Sequence, residues 1–104
     1  MSNTETKTRT VLRYPLDDRD LEGVATVKVG PNPKIVHVGT GTSSRICAWV
    51  EVDAVAEEIT DGEELRFAFI GTGQDVPADS TYLNFTFEAG PTGLAIRHVY
   101  LVGA

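Results

Sequence analysis

Two stretches of the chain carry residue types that could hold a ligand. "VHVGTGTSS" (36–44) and "FIGTGQDVP" (69–77) each pass from apolar residues into Gly-Thr-Gly. Glycines let backbone N–H groups turn toward an anion, and Thr72 and Gln74 would add side-chain hydrogen bonds. The earlier stretch lies between two strand-like runs with few residues to spare. It reads as a tight antiparallel hairpin in which glycine supplies a positive φ. The later one continues into "QDVPADST", a long segment without a clear element, and such loops often carry function in a compact domain. Gly71, Thr72, Gly73 and Gln74 are therefore candidate ligand contacts, with a purely structural loop as the alternative. If the loop binds, Gly73→Val is expected to remove binding and leave folding nearly intact; if the glycine is a structural turn, the same change is expected to cost about 1–3 kcal/mol through backbone strain. Neither phosphate-loop pattern, Gly-x-x-x-x-Gly-Lys-Ser/Thr or Gly-x-Gly-x-x-Gly opening a helix, occurs.

The remaining chemistry-bearing residues are sparse. Trp49, the single tryptophan, and Tyr82 are candidate flat platforms for a ligand ring or anchors for a partner. A core place for Trp49 under a covering loop is the bland alternative. His37 and His98 sit inside strand-like runs, and no Gly-x-Ser-x-Gly accompanies them. A nucleophilic triad is not expected, and His98 joins the candidate binding residues instead. The carboxylates Asp17, Asp18, Asp20, Glu57, Glu58, Glu63 and Glu64 fall in turn-like polar segments and read as solvated charge. Cys47 is the only cysteine, so no internal disulfide forms, and its apolar neighbours suggest a small core residue. One cysteine and two distant histidines do not make a structural zinc site. No metal, no cofactor and no enzymatic activity are expected.

The elements that must position these residues are short. Seven runs rich in Val, Ile, Phe, Tyr or Trp cover 11–16, 23–29, 34–39, 45–52, 64–70, 82–88 and 94–102. Turn residues separate them at roughly 8–12-residue intervals, the signature of an all-β sandwich or barrel. Alternation puts Ile46, Ala48, Val50 and Val52 on one face of their strand, with Cys47, Trp49 and Glu51 on the other. It sets Leu65, Phe67 and Phe69 against Arg66, Ala68 and Ile70. It also predicts Leu83, Phe85 and Phe87 inward, with Tyr82, Asn84, Thr86 and Glu88 outward. In the last run, Leu94, Ile96, His98, Tyr100 and Val102 oppose Ala95, Arg97, Val99 and Leu101. "DAVAEEI" (53–59) could form a helical turn or two capped by Asp53, or equally a loop between two strands. The 104 residues fit a flexible tail over 1–9 and a single β domain over 10–104.

The net charge is −6, and the nine basic residues are scattered. Duplex-binding proteins gain affinity by neutralising phosphates, so this balance speaks against duplex nucleic acid as a partner. A small anion held by a few local donors stays open. No apolar run approaches the ~18 residues of a membrane span, and no secretion signal is apparent. A cytoplasmic location is expected. Both faces of 94–102 and of 45–52 are apolar, which suggests a homo-oligomer.

The ordered series "RYPL", "KIVHVG", "CAWVEVD", "FIGTGQDVP", "YLNFTF" and "LAIRHVY" resembles a family of small uncharacterised phage and prophage proteins. Gln74 stands where that family often has histidine, and the 39–44 hairpin is not part of the pattern. The resemblance implies a phage gene context, with location in the infected host cell, and no known activity. The expected function is a non-catalytic ligand-binding module, sequestering a small nucleotide-like host signalling molecule as a counter-defence protein. The alternative is a structural or interaction protein, either a minor virion component or an inhibitor of a host protein.

Overall fold

The computed structural model describes residues 8–40, 45–54, 62–90 and 93–103. Among these residues seven strands follow in chain order: β1 (Arg9–Pro15), β2 (Val24–Val29), β3 (Lys34–Thr40), β4 (Ile46–Asp53), β5 (Glu63–Gly71), β6 (Ser80–Gly90) and β7 (Gly93–Val102). Each falls on one of the expected runs, and no helix occurs among the described residues. Most of the turn expected over 53–59 lies outside the described residues; Asp53, its expected cap, instead ends β4. Of the glycines in the first Gly-Thr-Gly, Gly39 lies inside β3 without a positive φ, and Gly41 lies outside the described residues. β3 and β4 pair antiparallel up to Thr40 opposite Ile46, and residues 41–44 lie outside the described residues.

The strands form two antiparallel sheets, β1-β4-β3 and β2-β5-β7-β6, which do not close into a barrel. Their facing sides build one core. The three-stranded sheet contributes Val38, Ile46, Ala48, Val50 and Val52; the four-stranded sheet contributes Ala25, Val29, Phe67, Phe69 and Val99. Alternation in β4 and β5 is thus the alternation read in the sequence. Burial of these side chains is the main drive to fold, at roughly 25 cal/mol per Å² of apolar surface removed from water. Arg9 fastens the outer face at the start of β1. Its Nε meets Glu51 and its Nη1 meets Asp53, each at 2.8 Å.

The faces expected for β6 are corrected by the structure. Leu83 does pack against the core. Beyond it the register shifts: Tyr82 pairs with Tyr100 and Asn84 with Val99, leaving one extra residue in β6. A one-residue bulge exchanges the two faces of everything that follows. Thr86 is consequently buried at 5% exposure, while Phe85 and Phe87 stand outward at 50% and 51%. Period-two reading fails here because it assumes an unbroken ladder.

Candidate functional site

β5 runs out at Gly71, and the chain reverses over residues 71–74. The Gln74 backbone N–H donates to the Gly71 carbonyl at 3.1 Å, closing a β-turn. Gly73, its third residue, has a φ of +91°, a requirement of a type II turn. The Gln74 side chain folds back, and its Oε1 accepts the Gly71 N–H at 2.7 Å. That N–H is therefore satisfied within the turn rather than offered to a ligand. Thr72 and Gly73 are exposed at the tip. Gly71 also makes room for a neighbour, since a Cβ built on it would lie 3.1 Å from Arg97 Nη1.

Arg97 stands opposite Gly71 on β7 and shares its face with the core residue Val99. Its Nε meets Glu88 Oε1 on β6 at 3.2 Å. Its two Nη atoms have no partner among the described residues. The other oxygen of Glu88 meets Arg19 Nη2 at 2.8 Å. Arg19 also donates from Nε to the Leu16 carbonyl at 3.2 Å and lies 4.0 Å above the Phe69 ring. Arg19 first, and Arg97 with it, holds the Glu88 carboxyl below the ordinary carboxylate range, against the opposing effect of burial.

Arg19 owes its position to the turn that follows it. Asp20 Oδ1 accepts the N–H groups of Glu22 and Val24 at 2.8 and 3.0 Å. The Gly23 N–H donates to the Asp20 carbonyl at 3.0 Å, and Gly23 has a φ of +80°. Asp20 is therefore an exposed carboxylate in a turn, and its side chain helps to form that turn. Asp at the start and Gly three residues on is a turn signature that the sequence carried.

The Arg19–Glu88 pair separates two adjoining recesses. One, of about 440 Å³, is lined by Glu22, Gly23, Phe69, Gln74 and Arg97 beside the pair. The other, of about 430 Å³, has an apolar wall of Ile46, Phe87 and Leu94, with Arg45 and Asp17 paired at 3.1 Å. Each falls within the roughly 300–1,000 Å³ typical of small-molecule sites. The acidic and basic side chains of the two together balance. Recognition here would rest on guanidinium and amide geometry more than on net potential.

The expected site residues are found in three places. Gln74 reaches the polar recess. Trp49 is half-buried on the outer face of the three-stranded sheet, its ring 5.7 Å from that of His37. Tyr82 and His98 lie on the outer face of the four-stranded sheet, with Tyr82 Oη 3.4 Å from His98 Nδ1. Neither Trp49 nor Tyr82 lines either recess. Arg19, Glu88 and Arg97 were not among the expected residues. The signal for Arg97 was a charge on the same face as Ala95, Val99 and Leu101. Among the described residues no cluster of His, Cys, Asp and Glu could hold a metal ion, and no helix is long and apolar enough to cross a membrane.

Fold and recess together define a two-sheet antiparallel β domain with a charged, cleft-like end. A family model matches residues 7–103, and the chain belongs to that family, a domain of unknown function (DUF7352). No curated protein and no solved structure matches it.

Proposed function

We propose that the chain is a non-catalytic binding module for a small anionic, nucleotide-like ligand, held at the end of the sandwich around Arg97. The observation that carries this reading is the guanidinium of Arg97. Glu88 engages only its Nε, which leaves the Nη edge available beside Gln74 in a recess of suitable size. A guanidinium edge of this kind matches a carboxylate or phosphate in two parallel hydrogen bonds. A flat ring would rest on Phe87 and Ile46 in the adjoining apolar recess. The motif resemblance to phage proteins supplies the setting of this proposal, in which the module sequesters a host signal.

The test is a thermal-shift series with inorganic phosphate, nucleotides and cyclic nucleotides on the wild type and on Arg97→Gln. A ligand that binds only the folded state raises the melting temperature. The expected result is a shift in the wild type that Arg97→Gln loses. No shift with any of these probes at millimolar concentration would sink the reading. An interaction protein is the second reading, and it is favoured by the apolar outer face of the four-stranded sheet.

A further inference from the structure

On the outer side of β6 and β7 the cross-strand pairs are Tyr82 with Tyr100, Phe85 with His98, Phe87 with Ile96 and Ala89 with Leu94. Every one of these residues lacks a formal charge at neutral pH with histidine neutral. Five of them are large and exposed: Tyr82 at 47%, Phe85 at 50%, Phe87 at 51%, Leu94 at 74% and Ile96 at 43%. The patch ends at Tyr100, beyond which Val24, Ala68 and Ile70 form a cluster that is already buried in the single chain. The bulge at Tyr82–Asn84 creates this surface, because without it Phe85 and Phe87 would face the core. Taking roughly 150–250 Å² for a whole aromatic side chain, these exposures leave on the order of 500 Å² of apolar surface per copy. A continuous patch of that size on a small domain marks an interaction surface.

We propose that this face is the interface of a homodimer, packed sheet on sheet about a two-fold axis. The area fits that occupant. Two such patches bury on the order of 1,000 Å² between them from the five side chains alone, about the lower bound for a specific interface. Charge fits as well. Each copy carries −6, so two copies meet most easily where neither presents a carboxylate. Lys28, Glu64 and Arg66 alternate onto the same face at its far β2–β5 margin, where they would form a polar rim. Twist favours the face over the edge. Two sheets of the same hand commonly pack face to face at a small angle. The free edge of β6, by contrast, is tied to β3 by Asn84, whose Nδ2 donates to the Val38 carbonyl at 2.6 Å.

This inference rests on the second reading above and not on the ligand reading. Light scattering after size exclusion should give twice the chain mass for the wild type at high micromolar concentration. Phe85→Glu places a charge at the centre of the patch and should weaken association about tenfold or more. Leu94→Glu, at the most exposed of the five positions, should do the same if Phe85→Glu proves hard to fold. Val36→Glu, on the other sheet and 54% exposed, should leave the dimer intact. Circular dichroism confirms that each variant is folded. A wild type of single-chain mass at every concentration overturns the proposal. So does a dimer that survives both Phe85→Glu and Leu94→Glu, or one that Val36→Glu dissociates. Phe87 and Leu94 also line the apolar recess, whereas Phe85 lines neither recess, so a thermal shift with phosphate or nucleotide retained in a monomeric Phe85→Glu shows that ligand binding does not need the dimer.

Discussion

The side chain of Asn84 on β6 donates to the carbonyl of Val38 on β3 at 2.6 Å, joining one sheet to the other at their margin. The bond exists because the bulge turns Asn84 toward the opposing sheet. Val38 is fully buried, so its carbonyl has little access to water. Asn84→Leu keeps the size and removes the donor. An unpaired buried acceptor costs about 1–3 kcal/mol. Urea unfolding of Asn84→Leu should show that loss in the midpoint. An unchanged midpoint would mean that the bond between the sheets contributes nothing to stability.

The same residue marks the limit of what the sequence discloses. Strand number, strand bounds and the faces of β4 and β5 were legible, because Val-rich alternation bounded by Gly, Pro and Asp is a local signal. The division into two sheets was not, since β1 pairs with β4 and β2 with β5 across long stretches of chain. The bulge was not legible either. Nothing in "YLNFTFE" distinguishes an unbroken ladder from one with an extra residue, and the difference decides whether Phe85 or Thr86 is buried. The candidate site was half legible. Gln74 was found from its glycines, whereas Arg19, Glu88 and Arg97 are brought together only by the fold.

The pairing of Glu88 with Arg19 predicts a pH dependence. Its folded pKa is lowered, chiefly by the hydrogen bond from Arg19, then by the charges of Arg19 and Arg97. A lowered carboxylate pKa contributes stability above the unfolded value, about 4.3, and loses it as pH falls through the folded value. Glu88→Gln should therefore be less stable than wild type near neutral pH, and the gap should narrow as the solution becomes more acidic than the ordinary carboxylate pKa. Denaturant midpoints across an acid series read this directly. A gap that stays constant with pH would remove the ion pair as its cause.

Two glycines at close contacts should respond in opposite order to their nearest distances. A Cβ on Gly39 would lie 2.6 Å from His37 Nε2, and one on Gly30 would lie 3.0 Å from Val52 Cβ and Cγ2. The His37 ring is exposed and can swing away, whereas Val52 is fully buried. Gly30→Ala should cost about 1–3 kcal/mol by overpacking. Gly39→Ala should cost less, but move His37 off Trp49. As Trp49 is the only tryptophan, its emission reports that displacement. A Gly39→Ala variant less stable than Gly30→Ala would show that the His37 ring is fixed in place.

Gly73 separates the turn from the recess. Its φ of +91° lies where side chains are strained, yet nothing stands within 4 Å of a Cβ built there. The cost of a substitution is thus conformational rather than steric. Of the two expectations for Gly73→Val, this φ favours the structural-turn one. That variant should lose about 1–3 kcal/mol, through the strain of a β-branched residue at positive φ. Gly73→Asn should lose less, because asparagine enters the left-handed region more readily. Gly73 does not line the recess around Arg97. Gly73→Asn should therefore keep the thermal shift produced by a bound anion, while Arg97→Gln should lose it at near wild-type stability. Melting temperature and ligand shift measured side by side distinguish the two. If Gly73→Asn lost the shift while remaining folded, the turn tip would be a direct ligand contact, and the binding centre would move from Arg97 to the Gly71–Gln74 loop.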